Sequence, residues 1–122
     1  MRPLVGGQAE GELVVLDEGL SFWGGFDPTT GKIIDRSHPQ WGQTLAGKVV
    51  VMPHGRGSSS ASSVLAESLR LGTGPAAIIL DEPDQIIVVG SLVAGLLYDA
   101  QCPVYVGEAP ESEDAQIRLG ES

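Results

Sequence analysis

Gly55-Arg56-Gly57-Ser58-Ser59-Ser60-Ala61-Ser62-Ser63 joins two segments of opposite character. Before it runs Val49-Val50-Val51-Met52-Pro53, a continuous apolar stretch suited to a strand buried on both faces. After it, Ala61, Val64, Leu65 and Leu69 follow an i, i+3, i+4, i+8 spacing that lays one apolar stripe along a helix. Gly72 supplies a stop just past Leu71. The order is therefore strand, glycine turn, serine cluster, helix. The first turn of a helix carries unpaired N–H groups and about half a positive charge, which suits a carboxylate or a phosphate. Arg56 adds a permanently charged planar fork for such an anion. The same residues also have an ordinary use, since serine caps helices and glycine turns join strands to helices. Familiar phosphate motifs do not fit. There is no G-x-x-x-x-G-K-[ST], and Ser60 stands where the dinucleotide fingerprint needs its third glycine. A G-x-S-x-G elbow is missing too.

Toward the N-terminus, Glu10 to Leu16, with Leu13-Val14-Val15-Leu16, reads as a strand and Leu20 to Trp23 as a second, short one. Asp27-Pro28-Thr29-Thr30-Gly31 is turn chemistry, and Lys32 to Asp35 resumes an extended run, which predicts a hairpin from Phe22 to Asp35. Trp23 is expected in the core, and Trp41 as the one large anchor of the loop from Ser37 to Gly47. Toward the C-terminus, Ala76–Leu80 and Ile86–Val89 read as strands around a turn at Asp81–Asp84, Gly90–Tyr98 as a short helix with Ser91 near its cap, and Pro103–Val106 as a closing strand. The fold class is α/β, with two sheets or one mixed sheet and helices packed on one face.

The 122 residues fit one domain, and 42% hydrophobic with 19% charged residues places the chain among globular proteins. The formal net charge of -9 argues against nucleic acid as a partner. No apolar run approaches the ~20 residues of a membrane span, and no signal peptide is visible, so a cytoplasmic location without membrane attachment is expected. The lone Cys102 excludes an internal disulfide, cannot alone hold an iron–sulfur cluster, and sits among apolar neighbours as a buried thiol would. Residues 107–122 set Glu108, Glu111, Glu113, Asp114 and Glu121 against Arg118 alone, a net charge of -4. They read as an acidic, flexible tail behind a domain at 1–106, whose removal from 108 onward should leave the fold intact. Asp27 reads as a turn former. Asp35 and His38 bracket Arg36 at a spacing that is a weak metal signal, and Ser58, His54 and Asp35 can be drawn as a hydrolase triad.

The ordered set Ser21-Phe22-Trp23-Gly24-Gly25, Asp27-Pro28, Thr30-Gly31, Ile33-Ile34-Asp35, His38-Pro39, Gly42, Leu45-Ala46-Gly47, Pro53 and Gly55-Arg56-Gly57-Ser58 with Ser62 resembles the small subunit of the aconitase X family. Gly74-Pro75-Ala76-Ala77 and Gly90-Ser91-Leu92-Val93-Ala94 continue the resemblance, which covers about residues 10–106; Ala61-Ser62 stands where the family often has Gly-Ser. The resemblance implies a swivelling β/β/α domain closing over a site held mainly by a larger subunit, and a hydro-lyase reaction on a small hydroxy acid. It implies cis-3-hydroxy-L-proline or (R)-5-phosphomevalonate as substrate, and the resemblance of Glu82-Pro83-Asp84 and Gly90–Tyr98 to bacterial members favours the former. It further implies Ser58 as general base, with Arg56, Gly57, Ser59 and Ser60 binding substrate, and iron or an iron–sulfur cluster in the large subunit with no metal on this chain. The chemistry is coherent with that. Removing water from a β-hydroxy acid needs a base at the α-carbon and a Lewis acid on the leaving hydroxyl. A serine alkoxide needs stabilising charge, which a helix start and Arg56 would supply. Competing readings are a non-catalytic anion-binding module and an interaction domain that docks a larger protein through Trp23.

Overall fold

The computed structural model describes residues 2–56, 60–108 and 116–119. In chain order its elements are β1 (Arg2–Val5), β2 (Ala9–Val15), β3 (Leu20–Ser21), the helical turn α1 (Phe22–Gly25), β4 (Phe26–Asp27) and β5 (Lys32–Ile33). Then come β6 (Val49–Met52), β7 (Gly55–Arg56), α2 (Ser60–Leu71), β8 (Ala77–Leu80), α3 (Gln85–Tyr98), β9 (Val104–Val106) and β10 (Gln116–Leu119).

The apolar runs form the middle of a six-stranded mixed sheet of order β1-β9-β8-β6-β2-β10. The four central strands are parallel, with Val14 opposite Val50, Val50 opposite Ile78 and Ile78 opposite Val104. The outer strands β1 and β10 run antiparallel to their neighbours. Side chains alternate across the pleat. Val50, Met52, Ile78, Leu80 and Val104 pack with Ala61, Leu65 and Leu69 of α2 and with Ile87 and Ala94 of α3. On the opposite face Leu13, Val49, Val51, Ala77, Ile79, Tyr105 and Leu119 form a second cluster without helical residues. Both helices therefore cover one face, because each is a crossover between neighbouring parallel strands. Two small sheets, β3 with β7 and β4 with β5, lie outside the main one.

α2 ends where expected, with Gly72 at φ +81 and Thr73 N–H donating to the Ser68 carbonyl at 2.9 Å. The expected hairpin is present but shorter, with Phe26 opposite Ile33 and Thr29 N–H donating to Asp27 Oδ1 at 2.9 Å. Three expectations fail. Ile86–Val89 is the start of α3, not a strand. The Asp84 carboxylate accepts from Ile86 N–H and Ile87 N–H, which nucleates a helix through residues of β propensity. Second, Trp23 is 63% exposed and Trp41 55% exposed. Trp23 is extended (φ -86, ψ 113) and Gly24 lies at φ +82, a turn that sends Phe22 inward and Trp23 outward. Trp41 stacks under the Arg36 guanidinium at 5.7 Å, and buried His38 anchors that loop instead.

The third failure concerns the C-terminal segment. Gln116–Leu119, expected in a flexible tail behind a domain ending at 106, pairs with Ala9–Glu12 of β2, and Leu119 is buried. Four alternating residues are too few to register as a strand period, yet they complete an edge that would otherwise be open.

The contact between α2 and α3 depends on Gly90. A Cβ there would lie 2.9 Å from the Ser62 carbonyl oxygen and 3.1 Å from Leu65 Cδ2, whereas one at Gly95 would meet nothing nearer than 3.8 Å. Helix propensity favours alanine at both positions. We expect Gly95→Ala to raise stability by about 0.5–1 kcal/mol, and Gly90→Ala to lower it by about 1–3 kcal/mol through overpacking. Urea denaturation of the two variants checks the opposite signs.

Candidate functional site

The serine segment leaves the sheet through β7, whose Gly55 and Arg56 pair in parallel with Leu20 and Ser21 of β3. It re-enters regular structure at Ser60, the first residue of α2. Among the sequence-predicted site residues, Gly57, Ser58 and Ser59 lie outside the described residues. Arg56 takes its place in β7 opposite Ser21, and Ser60 opens the helix that follows. Strand, serine segment and helix thus follow one another as the sequence indicates.

Two residues to which the sequence reading gave no site role hold this junction. Gly55 N–H donates to Asp84 Oδ2 at 3.1 Å, and Ser62 Oγ donates to the Ile86 carbonyl at 2.6 Å. The floor beneath is packed by Leu20, Phe22, Ala61, Leu65 and Ile87, with Phe22 and Phe26 edge to face at 5.1 Å. The space left among these side chains is about 10 Å³, room for one water at most. The signal for Asp84 was present in the sequence: an Asp standing just before an apolar helical face is an N-cap pattern. A separate cleft of about 350 Å³, lined by Glu12, Gln40, Gln43, Thr44 and Lys48, shares no residue with this junction.

The alternative chemistries gain no support among the described residues. Asp35 Oδ1 accepts from Ser37 N–H and Ser37 Oγ, while exposed His54 places Nδ1 2.9 Å from its neighbour's carbonyl at Gly55. Both carry out local turn duties, so the hydrolase triad gains no support. His38 uses both ring nitrogens: Gln40 N–H donates to Nδ1 at 3.0 Å, which puts the proton on Nε2, 3.1 Å from the Glu18 carbonyl. Neither nitrogen is left to hold a metal with Asp35. Burial pushes the Cys102 thiol up to about 12, so it is an inert core group and not a nucleophile.

The fold recurs in known proteins. The family model for the aconitase X swivel domain matches residues 1–120. The chain belongs to the aconitase X swivel domain family. Its domain is 48% identical over 103 residues to a cis-3-hydroxy-L-proline dehydratase of Pseudomonas aeruginosa, covering 84% of this chain but 18% of that protein. It is 44% identical over 95 residues to the phosphomevalonate dehydratase small subunit of Thermococcus onnurineus, covering 78% of this chain and 73% of that one. The crystal structure of Thermococcus kodakaraensis aconitase X in its holo-form superposes with a TM-score of 0.75 at 38% identity, over 84% of this chain and 76% of that chain. This swivel domain therefore spans a minor part of one relative and most of another.

Proposed function

We propose that this swivel domain serves a hydro-lyase that dehydrates a small hydroxy acid, working with a large subunit and supplying the general base from Ser58. One observation carries the reading: the same domain forms part of a cis-3-hydroxy-L-proline dehydratase and most of a phosphomevalonate dehydratase small subunit. The preferred substrate is cis-3-hydroxy-L-proline. Identity to the archaeal small subunit supports (R)-5-phosphomevalonate as the second reading.

Elimination begins with removal of the proton α to the substrate carboxylate. A serine hydroxyl does this only as an alkoxide, so positive charge must surround it. The start of a twelve-residue helix and the Arg56 guanidinium are the groups this chain offers for that purpose. Gly57, Ser59 and Ser60 would then present N–H and O–H donors to the substrate carboxylate. Iron or an iron–sulfur cluster is assigned to the large subunit. Among the described residues no three His, Cys, Asp or Glu side chains come together, and the Cys102 thiol is buried. These described residues do not fit such a group.

The test is to assemble the chain with an aconitase X-type large subunit and to assay both hydroxy acids, with the separate chain as a control. Turnover of cis-3-hydroxy-L-proline by the pair, and none by the chain alone, is the expected result. Turnover of phosphomevalonate alone would move the assignment to the second substrate, and turnover of neither would leave an anion-binding or interaction module.

A further inference from the structure

We propose that the first turn of α3 brackets the serine segment, with Asp84 and Ser62 as positioning residues for its two ends. The proposal rests on the reading of that segment as catalytic. Both ends are tied to the same turn. Before the segment, Gly55 N–H donates to Asp84 Oδ2 at 3.1 Å; after it, Ser62 Oγ donates to the Ile86 carbonyl at 2.6 Å.

The Asp84 carboxylate is more than a helix cap. Its Oδ1 accepts from Ile86 N–H at 2.9 Å and from Ile87 N–H at 3.1 Å, which meets the needs of a cap with one oxygen. The second oxygen is aimed across the fold at the strand that feeds the serine segment. That approach is built into the backbone. A Cβ on Gly55 would stand 2.6 Å from Asp84 Oδ2 and 2.8 Å from Ile87 Cδ1, so any larger residue would have to displace these side-chain ends. On its other side β7 is held by β3, through Leu20 opposite Gly55 and Ser21 opposite Arg56. At the far end, Gly90 lets α3 approach the Ser62 carbonyl, where a Cβ would lie at 2.9 Å. Strand pairing, the carboxylate and the helix contact together leave little freedom to either end. A catalytic group misplaced by about 1 Å loses on the order of 10²-fold in rate, so such a bracket has a kinetic use beyond stability.

Asp84→Ser separates the two roles, because serine still caps a helix but a single short hydroxyl cannot also accept from Gly55 N–H. Two readouts follow. In the chain itself, the backbone amide resonances of residues 55–60 should move and their exchange should quicken, while α3 amides and Tm stay close to those of the unsubstituted chain. In the complex with the large subunit, kcat should fall roughly 10–100-fold with KM little changed. Ser62→Ala should act in the same direction with a smaller effect, and carries the same two readouts should Asp84→Ser fail to fold. Unchanged amides at 55–60, or unchanged kcat in an active complex, would overturn the bracket. A complex that dehydrates neither hydroxy acid before substitution would instead remove the catalytic reading, and the amide measurement would still decide whether α3 sets the segment's geometry.

Discussion

Ser58→Ala in the assembled enzyme is expected to lower kcat roughly 10²–10⁴-fold, the range for loss of a general base. Stability should change by no more than the loss of a helix cap, about 1 kcal/mol. In sequence Ser58 falls between Arg56, the end of β7, and Ser60, the start of α2, and following kcat and Tm together separates the two effects. Changes at Ser59 and Ser60 should act mainly on KM, through lost donors to the substrate carboxylate, and leave kcat within a few fold, while Ser63→Ala should cost stability of cap size at most. Arg56→Lys should also lower kcat, since an ammonium point charge cannot reproduce a planar two-pronged fork. An alanine scan of the serines, with kcat and Tm followed together, is the measurement. Near-normal turnover by Ser58→Ala alongside loss at another serine would move the base along the segment; indifference at every serine would make the segment structural.

The junction was legible because its neighbours are unambiguous. Val49–Met52 and Ala77–Leu80 are short, wholly apolar and buried on both faces, a pattern that an internal parallel strand requires. α2 carries a stripe at helical spacing and a glycine where the chain must turn left-handed. The order of elements around Gly55–Ser63 followed from these two features. The bracket was not legible, because it depends on Asp84 lying near Gly55 in space, and hydrogen bonds between distant residues leave no period. Reading Ile86–Val89 as a strand hid the cap as well. Four β-branched residues in a row favour a strand locally, but Ile87, Gly90, Ser91 and Ala94 form the buried side of a helix once Asp84 has nucleated it. Trp23 misled for a related reason. Size alone argues for burial, but one left-handed glycine beside it decides which of two adjacent aromatic rings faces inward.

Ending the chain at Glu108 is expected to destabilise it substantially, against the reading of an acidic tail. Composition argues for a frayed end, since residues 107–122 carry a net charge of -4 and few apolar groups. Geometry decides otherwise, because Gln116, Ile117, Arg118 and Leu119 pair in turn with Glu12, Gly11, Glu10 and Ala9. Leu119 joins Leu13, Val49, Val51 and Tyr105 on the sheet face away from the helices, and is only 6% exposed. Loss of one buried leucine costs about 2–5 kcal/mol. The lost ladder adds to this and leaves Ala9–Glu12 as an open edge prone to pair with another chain. In a domain of this size the sum corresponds to a fall in Tm on the order of 10 °C or more. Leu119→Ala should reproduce most of the fall without shortening the chain. Leu96→Ser, at a leucine 85% exposed on α3, should stay within about 0.5 kcal/mol and serves as the control. Thermal unfolding of the three variants is the measurement, with gel filtration to detect self-association of the shortened chain. A truncated chain as stable as the full one would mean that β10 adds nothing to the sheet in solution, and that the acidic composition had been the better guide.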